Sequence, residues 1–133
     1  SNNNKGGYMG YCMDQTDGEF YMEANNKSKA LEAIKNLHKG DNITYDDSAV
    51  LNAKDLSEAL EQWDWTVDED DKGNIIRMCF TGEKCGDEEL LFDTIAPYVK
   101  EGSYIELHGE DGTIWRHVFN GKICKQAYPK ITW

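Results

Sequence analysis

The feature that most constrains the fold is a short polar turn containing glycine, which recurs between aromatic-rich stretches and alternates with helical patterns. The pattern occurs three times in the 133 residues. A turn of this kind between two alternating stretches predicts a β-hairpin. The predicted turns are 15–18, 70–73 and 109–112, and the strands are 8–14, 19–24, 65–68, 75–80, 104–108 and 113–119.

Three other stretches carry apolar residues at the 3.6-residue period of an amphipathic helix. The first helix is expected at 27–38. The second is expected to begin at Asn52 as its N-cap, with Asp55 three residues on. The third begins after Asp87 and is disturbed by Pro97. Their apolar positions are Ala30, Leu31, Ile34 and Leu37, then Leu56, Ala59, Leu60 and Trp63, then Leu91, Phe92 and Ile95.

The predicted order of elements is ββα, α, ββα, ββ. From the second strand to the fifth, this order contains the βαββαβ arrangement of a ferredoxin-like sandwich, with the helix after Asn52 inserted. We therefore expect an α+β fold: a two-layer sandwich with extra N-terminal and C-terminal strands. Its length suits a single domain, expected at 8–133, with 1–7 a disordered or artificially added segment.

The chain is strongly acidic, and its charged residues are unevenly distributed. The chain has 14 Lys and Arg against 25 Asp and Glu, a net charge of −11, and residues 41–111 hold twenty of the acids. Direct binding to nucleic-acid phosphates is disfavoured, whereas a basic protein is a favoured partner. The candidate acidic patch is Asp68, Glu69, Asp70 and Asp71. A surplus of acids that serves only solubility is the alternative.

Four cysteines show neither a CxxC pair nor a histidine at zinc-ligand spacing, so no metal or cofactor is expected. We expect no signal peptide, and no apolar run reaches membrane-spanning length. We therefore expect a cytoplasmic protein that does not bind a membrane.

The last hairpin offers a second candidate surface. A two-residue turn at Asp111 and Gly112 would set alternate residues of its strands on two faces. The aliphatic face would be Ile105, Leu107, Ile114 and Val118, which is the natural core side. The other face would be Tyr104, His108, Trp115, His117 and Phe119. An exposed aromatic face of this kind predicts a partner site or the seam of a homodimer.

The same register would place Glu106 opposite His117, with His108 nearby. Two histidines and a carboxylate are capable of proton transfer. Since no catalytic motif accompanies them, we assign no catalytic residue and expect a protein that is not an enzyme.

The C-terminal half resembles a group of small, uncharacterised bacterial proteins, often associated with phages or mobile elements. The resemblance covers about 75–133 and is carried by the stretches FTGEK at 80–84, IAPYV at 95–99, GSYIE at 102–106, GEDGTIWR at 109–116 and VF at 118–119. It implies an accessory gene product and no known activity.

The expected function is a non-enzymatic acidic domain that binds a basic partner protein. Two alternatives remain. One is a small hydrolase or ligand-modifying enzyme that uses the His/Glu group of the last hairpin. The other is a self-associating structural module that buries the aromatic face between copies.

Overall fold

The computed structural model describes residues 10–39 and 47–133. The predicted start of the domain at Tyr8 and the segment 1–7 lie outside these ranges. The described residues form strands and helices in mixed order, so the α+β class is confirmed. The elements are β1 (Met13–Glu19), α1 (Lys27–Leu37), α2 (Asp47–Leu51), α3 (Leu56–Glu61), β2 (Trp65–Glu69), β3 (Ile75–Phe80), α4 (Glu88–Ile95), β4 (Tyr104–Gly109), β5 (Ile114–Phe119) and β6 (Cys124–Ala127).

The strands form two sheets, and every pairing is antiparallel. One sheet has four strands in the order β1-β4-β5-β6, and the other is the hairpin β2-β3. The hairpins predicted around 70–73 and 109–112 are therefore confirmed.

The first predicted hairpin is wrong. Residues 13–19 form one strand that runs straight through the predicted turn and pairs with β4. The register shifts between Gln15 and Asp17, as in a β-bulge. Asp17 Oδ1 accepts a hydrogen bond from the backbone N–H of Gly18 at 2.7 Å, and Oδ2 accepts one from the Tyr104 hydroxyl at 3.0 Å. Residues typical of a turn thus form a bulge, because pairing with β4 replaces a local reversal of the chain.

The predicted register of the last hairpin is wrong by one residue. Leu107 lies opposite Trp115, and Ile105 lies opposite His117. The loop is one residue longer than expected, because the Gly109 N–H bonds the Thr113 carbonyl at 2.8 Å. Gly112, with φ of 90°, adopts the left-handed conformation that such a loop needs. A shift of one residue moves every side chain of β5 to the opposite face.

The core lies between the helices and the inner face of the sheets. Phe92 of α4 is at its centre, with ring centroids 5.1 Å from Trp65, 4.8 Å from His117 and 5.7 Å from Phe119. The predicted apolar positions of the helices are buried, except for Leu31 and Leu37, which are partly buried. Burial of this continuous apolar surface is the main contribution to stability.

The second predicted helix corresponds to α3 and begins later than expected, because its predicted cap is wrong. The short helix α2, which precedes Asn52, was not predicted. Asp55, not Asn52, caps α3, since its side chain accepts a hydrogen bond from the Glu58 N–H at 2.9 Å. The Glu58 carboxylate in turn accepts from the Lys54 N–H at 2.8 Å. This reciprocal arrangement resembles a capping box.

The third helix begins after Asp87 as predicted, although the Asp87 side chain makes no capping hydrogen bond. Glu88 accepts from the Gly86 N–H at 2.7 Å instead. Beyond α4 the chain continues as a short 3₁₀ turn, Ala96–Tyr98, which contains Pro97.

Candidate functional site

The four residues of the predicted acidic patch lie at the tip of the β2-β3 hairpin. Asp68 pairs with Arg77 at 2.6 Å, and Glu69 pairs with Lys27 at 2.9 Å. Asp70 accepts backbone hydrogen bonds from residues 72 and 74 at 2.9 Å and a side-chain bond from Asn74 at 3.0 Å. The Asn74 bonds hold the pKa of Asp70 below its usual value. Three of these acids therefore have structural partners within the chain.

The predicted aromatic face does not exist as one surface. Trp115, His117 and Phe119 lie in the core, whereas Tyr104 and His108 lie on the opposite face of the sheet. The cause is the one-residue change of register described above.

The predicted group of two histidines and Glu106 is not brought together. His117 is 1 % exposed, and its Nε2 accepts a hydrogen bond from Trp115 Nε1 at 3.2 Å. Burial lowers the pKa of His117 to about 4, so the ring is neutral at pH 7. Glu106 lies on the outer face and accepts from Arg116 Nε at 2.9 Å. His117 is therefore a core residue.

A polar cluster covers this outer face. The Arg116 guanidinium stacks on the Tyr104 ring at 4.2 Å and also lies 3.7 Å from Asp17. Tyr104 donates to Asp17, which raises the pKa of the tyrosine, and Thr16 donates to Glu106 at 2.9 Å. Both carboxylates of this cluster pair with the same guanidinium, so each charged group has a partner and a single negative charge is left over.

The two sheets meet along a seam between β1 and β3. At one end, the Met13 N–H bonds the Glu83 carbonyl at 3.0 Å. At the other end, Met22 and Ile75 exchange two backbone hydrogen bonds of 2.9 and 3.0 Å. Between these ends, no backbone hydrogen bond joins 14–21 to 76–82 in the described structure. The seam is thus closed at both ends and unpaired in its middle.

Gln15 bridges the unpaired part of the seam with its side chain. Its Nε2 donates to the Met78 carbonyl at 3.0 Å, and its Oε1 accepts from the Phe80 N–H at 2.7 Å. Gly18 lies close by, where an added Cβ would come within 3.0 Å of Gln15 Nε2 and 3.3 Å of the Tyr104 carbonyl. The side-chain amide therefore makes the contacts that the N–H and C=O of one residue in a neighbouring parallel strand would make.

A groove follows the outer side of this seam. It consists of three adjoining hollows of about 500, 430 and 510 Å³. Asp14 and Gly82 line both the first and the second hollow, and Gly18 and Arg77 line both the second and the third. We call the whole depression the β1–β3 groove.

One end of the β1–β3 groove is acidic. It is lined by Asp14, Glu83 and Glu110, with His108 beside them, and we call these three carboxylates the acidic end. Glu110 accepts from the Cys12 N–H at 2.6 Å. Asp14 and Glu83 are exposed, and neither forms an ion pair with a residue of the described ranges. Since these acids come from three distant parts of the chain, no local sequence signal identifies them.

Tyr11 holds the β4-β5 loop against the acidic end. Its hydroxyl donates to Asp111, and its ring lies 6.3 Å from that of Trp115. The hydrogen bond raises the pKa of Tyr11 and lowers the pKa of Asp111. Lys84 is the nearby cation, since its charge acts on Cys12 together with those of Glu83 and Glu110. Negative charge exceeds positive charge at this end.

The cysteines are free. Partial desolvation and the hydrogen bond to Glu88 raise the pKa of the exposed Cys85 to about 12, and partial burial raises the pKa of Cys124 to about 12. These two are therefore thiols at neutral pH, without the thiolate character of a nucleophile. Within the ranges 10–39 and 47–133, no group of three or more His, Cys, Asp or Glu has the arrangement of a metal site. None of the helices described is both long enough and apolar enough to cross a membrane.

Comparison of the chain with protein-family models, with curated proteins and with solved structures found no match.

Proposed function

We propose that the protein binds a basic segment of a partner protein through the β1–β3 groove. The observation that carries the proposal is the acidic end, where the exposed carboxylates of Asp14 and Glu83 line an open hollow without an ion-pair partner among the described residues. A lysine or arginine side chain supplies the missing positive charge. The net charge of −11 adds long-range attraction to such a partner.

The groove supports this function better than the tip of the β2-β3 hairpin. At the tip, Asp68 and Glu69 already have basic partners within the chain. Asp71 adds negative charge there, which steers a basic partner from a distance. At the groove, the carboxylates of Asp14 and Glu83 lie beside a hollow that a side chain is able to enter, so they can contact a bound lysine or arginine directly.

The experiment that tests the function is affinity capture from a lysate of the source organism at low and high salt, followed by binding measurements with the partner identified. We expect Asp14→Asn combined with Glu83→Gln to weaken binding at least tenfold. The matched control combines Glu32→Gln with Glu61→Gln, because it removes the same charge from exposed helical positions and should change the affinity by less than twofold. An equal loss in both variants would show that net charge alone, and not the groove, governs binding.

The hairpin tip provides a second comparison. Replacing Asp68 and Asp71 by Asn should weaken binding by less than threefold and reduce mainly the association rate at low salt, where exposed charges are poorly screened. A larger effect at the tip than at the groove would move the binding site to the β2-β3 hairpin.

We also propose a finer description of the fold, in which the two sheets are the halves of one ferredoxin-like sheet split along the seam. The antiparallel bridges Cys12 with Lys84 and Met22 with Ile75 support it, because they place β1 beside β3. The order would then be β4-β1-β3-β2, extended by β5 and β6. A strong nuclear Overhauser effect between the α-protons of Cys12 and Lys84, which form a non-hydrogen-bonded pair, would support this order, as would one between the amide protons of Met22 and Ile75, which form a hydrogen-bonded pair. The absence of both effects would contradict it.

A further inference from the structure

We infer that the β1–β3 groove takes its basic partner segment as a short extended strand, which displaces the Gln15 side-chain amide from β3. The inference rests on the proposed function and adds the mode of binding and the direction of the bound chain. Its starting point is the seam, because unpaired strand edges are templates for another strand.

The backbone groups of β3 already show the pattern that a bound strand would complete. Gln15 accepts from the Phe80 N–H and donates to the Met78 carbonyl. One amide thus bonds the residue before and the residue after Cys79. A residue of a parallel strand bonds its neighbour in this way, whereas an antiparallel pair exchanges both bonds with a single residue.

This geometry sets the direction of the segment. A strand parallel to β3 runs antiparallel to β1, so both sides of the seam accept it in regular pairing. β3 runs from Ile75 towards Phe80, and the chain continues to Glu83 at the acidic end. The C-terminal side of the bound segment therefore lies at the acidic end, and its basic residues belong there.

The seam also limits the length of the segment. It is closed by backbone bonds at Met13 and Met22, so the strand enters and leaves over the outer face. Residues 14–21 lie between the closed ends and span about 26 Å at roughly 3.3 Å per residue. A paired stretch of roughly four residues therefore fits, with about two residues at each side for entry and exit.

The test uses a labelled synthetic peptide of four alternating threonines and valines followed by two lysines. Its binding is measured by fluorescence anisotropy. A second peptide has the same composition with the lysines first. A third has the original order with N-methyl groups on the two central residues, which removes their backbone donors and keeps the charge. We expect the second to bind at least fivefold more weakly than the first, and the third at least tenfold more weakly.

Two further measurements report on the role of Gln15. In the NMR spectrum of the wild type, the side-chain amide protons of Gln15 should change chemical shift when the first peptide binds. The reason is that their hydrogen bond to the Met78 carbonyl is replaced by hydrogen bonds to solvent. Gln15→Ala should bind that peptide threefold to tenfold more tightly, because the competing amide is absent. A thermal unfolding curve of Gln15→Ala checks that the variant is folded, and the wild-type spectrum tests the inference even if it is not.

These measurements distinguish failure of the strand mode from failure of the proposed function. Equal binding of the first and third peptides, lost in Asp14→Asn with Glu83→Gln, would overturn the strand mode and leave the proposed function intact. Binding that ignores these two substitutions would overturn both. No binding of the first peptide at millimolar concentration would overturn the strand mode. A dimer in sedimentation that the peptide dissociates would show that a second copy of this chain, and not a basic partner, occupies the groove.

Discussion

At the scale of single residues, His117 shows how burial decides chemistry. The hydrogen bond from Trp115 and the edge contact with Phe92 hold the ring in the core, and burial lowers its pKa to about 4. In the unfolded chain the pKa is about 6.5. Below pH 6.5 the unfolded state therefore binds a proton that the folded state does not bind until about pH 4. Stability is full above pH 6.5 and falls as the pH is lowered through this window.

The first prediction is that the free energy of unfolding falls by about 2–3 kcal/mol between pH 7 and pH 4 through His117 alone. Urea unfolding measured at intervals of pH checks it. Between pH 6.5 and pH 5, where few carboxylates titrate, His117→Gln should reduce the slope of unfolding free energy against pH by the contribution of one proton. His108→Asn is the matched control, because it removes a histidine from the outer face and leaves His117 in place. An unchanged slope in His117→Gln would contradict the assignment.

At the scale of elements, the start of α3 depends on one carboxylate. Asp55 accepts from the Glu58 N–H, whereas Asn52 lies outside the helix. The second prediction is that Asp55→Ala lowers the free energy of unfolding by about 1 kcal/mol, through loss of the cap. Asn52→Ala should cost less than half of that amount. Chemical denaturation of both variants measures the difference, and equal costs would show that the hydrogen bond of Asp55 contributes nothing.

The β2-β3 turn depends on Asp70 in the same way. Its carboxylate accepts two backbone N–H groups and the Asn74 side chain, which lowers its pKa. The third prediction is that Asp70→Ala lowers the Tm clearly more than Asp71→Ala does, because these donors lose their acceptor. Asp71→Ala, one residue on at an exposed position, should change stability by less than about 0.5 kcal/mol. Thermal unfolding at pH 7 compares them, and a larger cost for Asp71 would contradict the role of Asp70.

At the scale of the whole molecule, the net charge of −11 opposes compaction. The fourth prediction is that NaCl raised from 10 to 300 mM increases Tm by about 3 °C, since salt screens this repulsion. A variant with Glu32, Glu61 and Glu89 changed to Gln should show a smaller increase. A decrease of Tm with salt would show that ion pairs such as Lys27 with Glu69 outweigh the repulsion.

The groove is also a property of the whole molecule, and this explains why the sequence does not reveal it. Asp14, Glu83 and Glu110 become neighbours only when β1 pairs with β4 and the loop after β3 bridges to the start of β1. The run of acids at 68–71 is conspicuous in the sequence because its members are consecutive. In the structure Asp68 and Asp70 hold the hairpin together, and Glu69 pairs with Lys27 of α1.

The sequence by itself determined the features that depend on short-range periodicity and turn chemistry. These are the α+β class, the helical faces that carry Ile34, Leu60 and Phe92, and the two hairpins with glycine at 73 and 112. Each depends on contacts between residues close in the chain, so a local pattern is sufficient to predict it.

Only the tertiary structure decided the path of β1, the register of the last hairpin and the position of the groove. Pairing with β4 turned the residues around Asp17 from a turn into a bulge. One additional loop residue placed Trp115 and His117 in the core instead of on the surface. The physical reason is that strand pairing and register depend on partners distant in the chain, and a change of one residue reverses which face is buried.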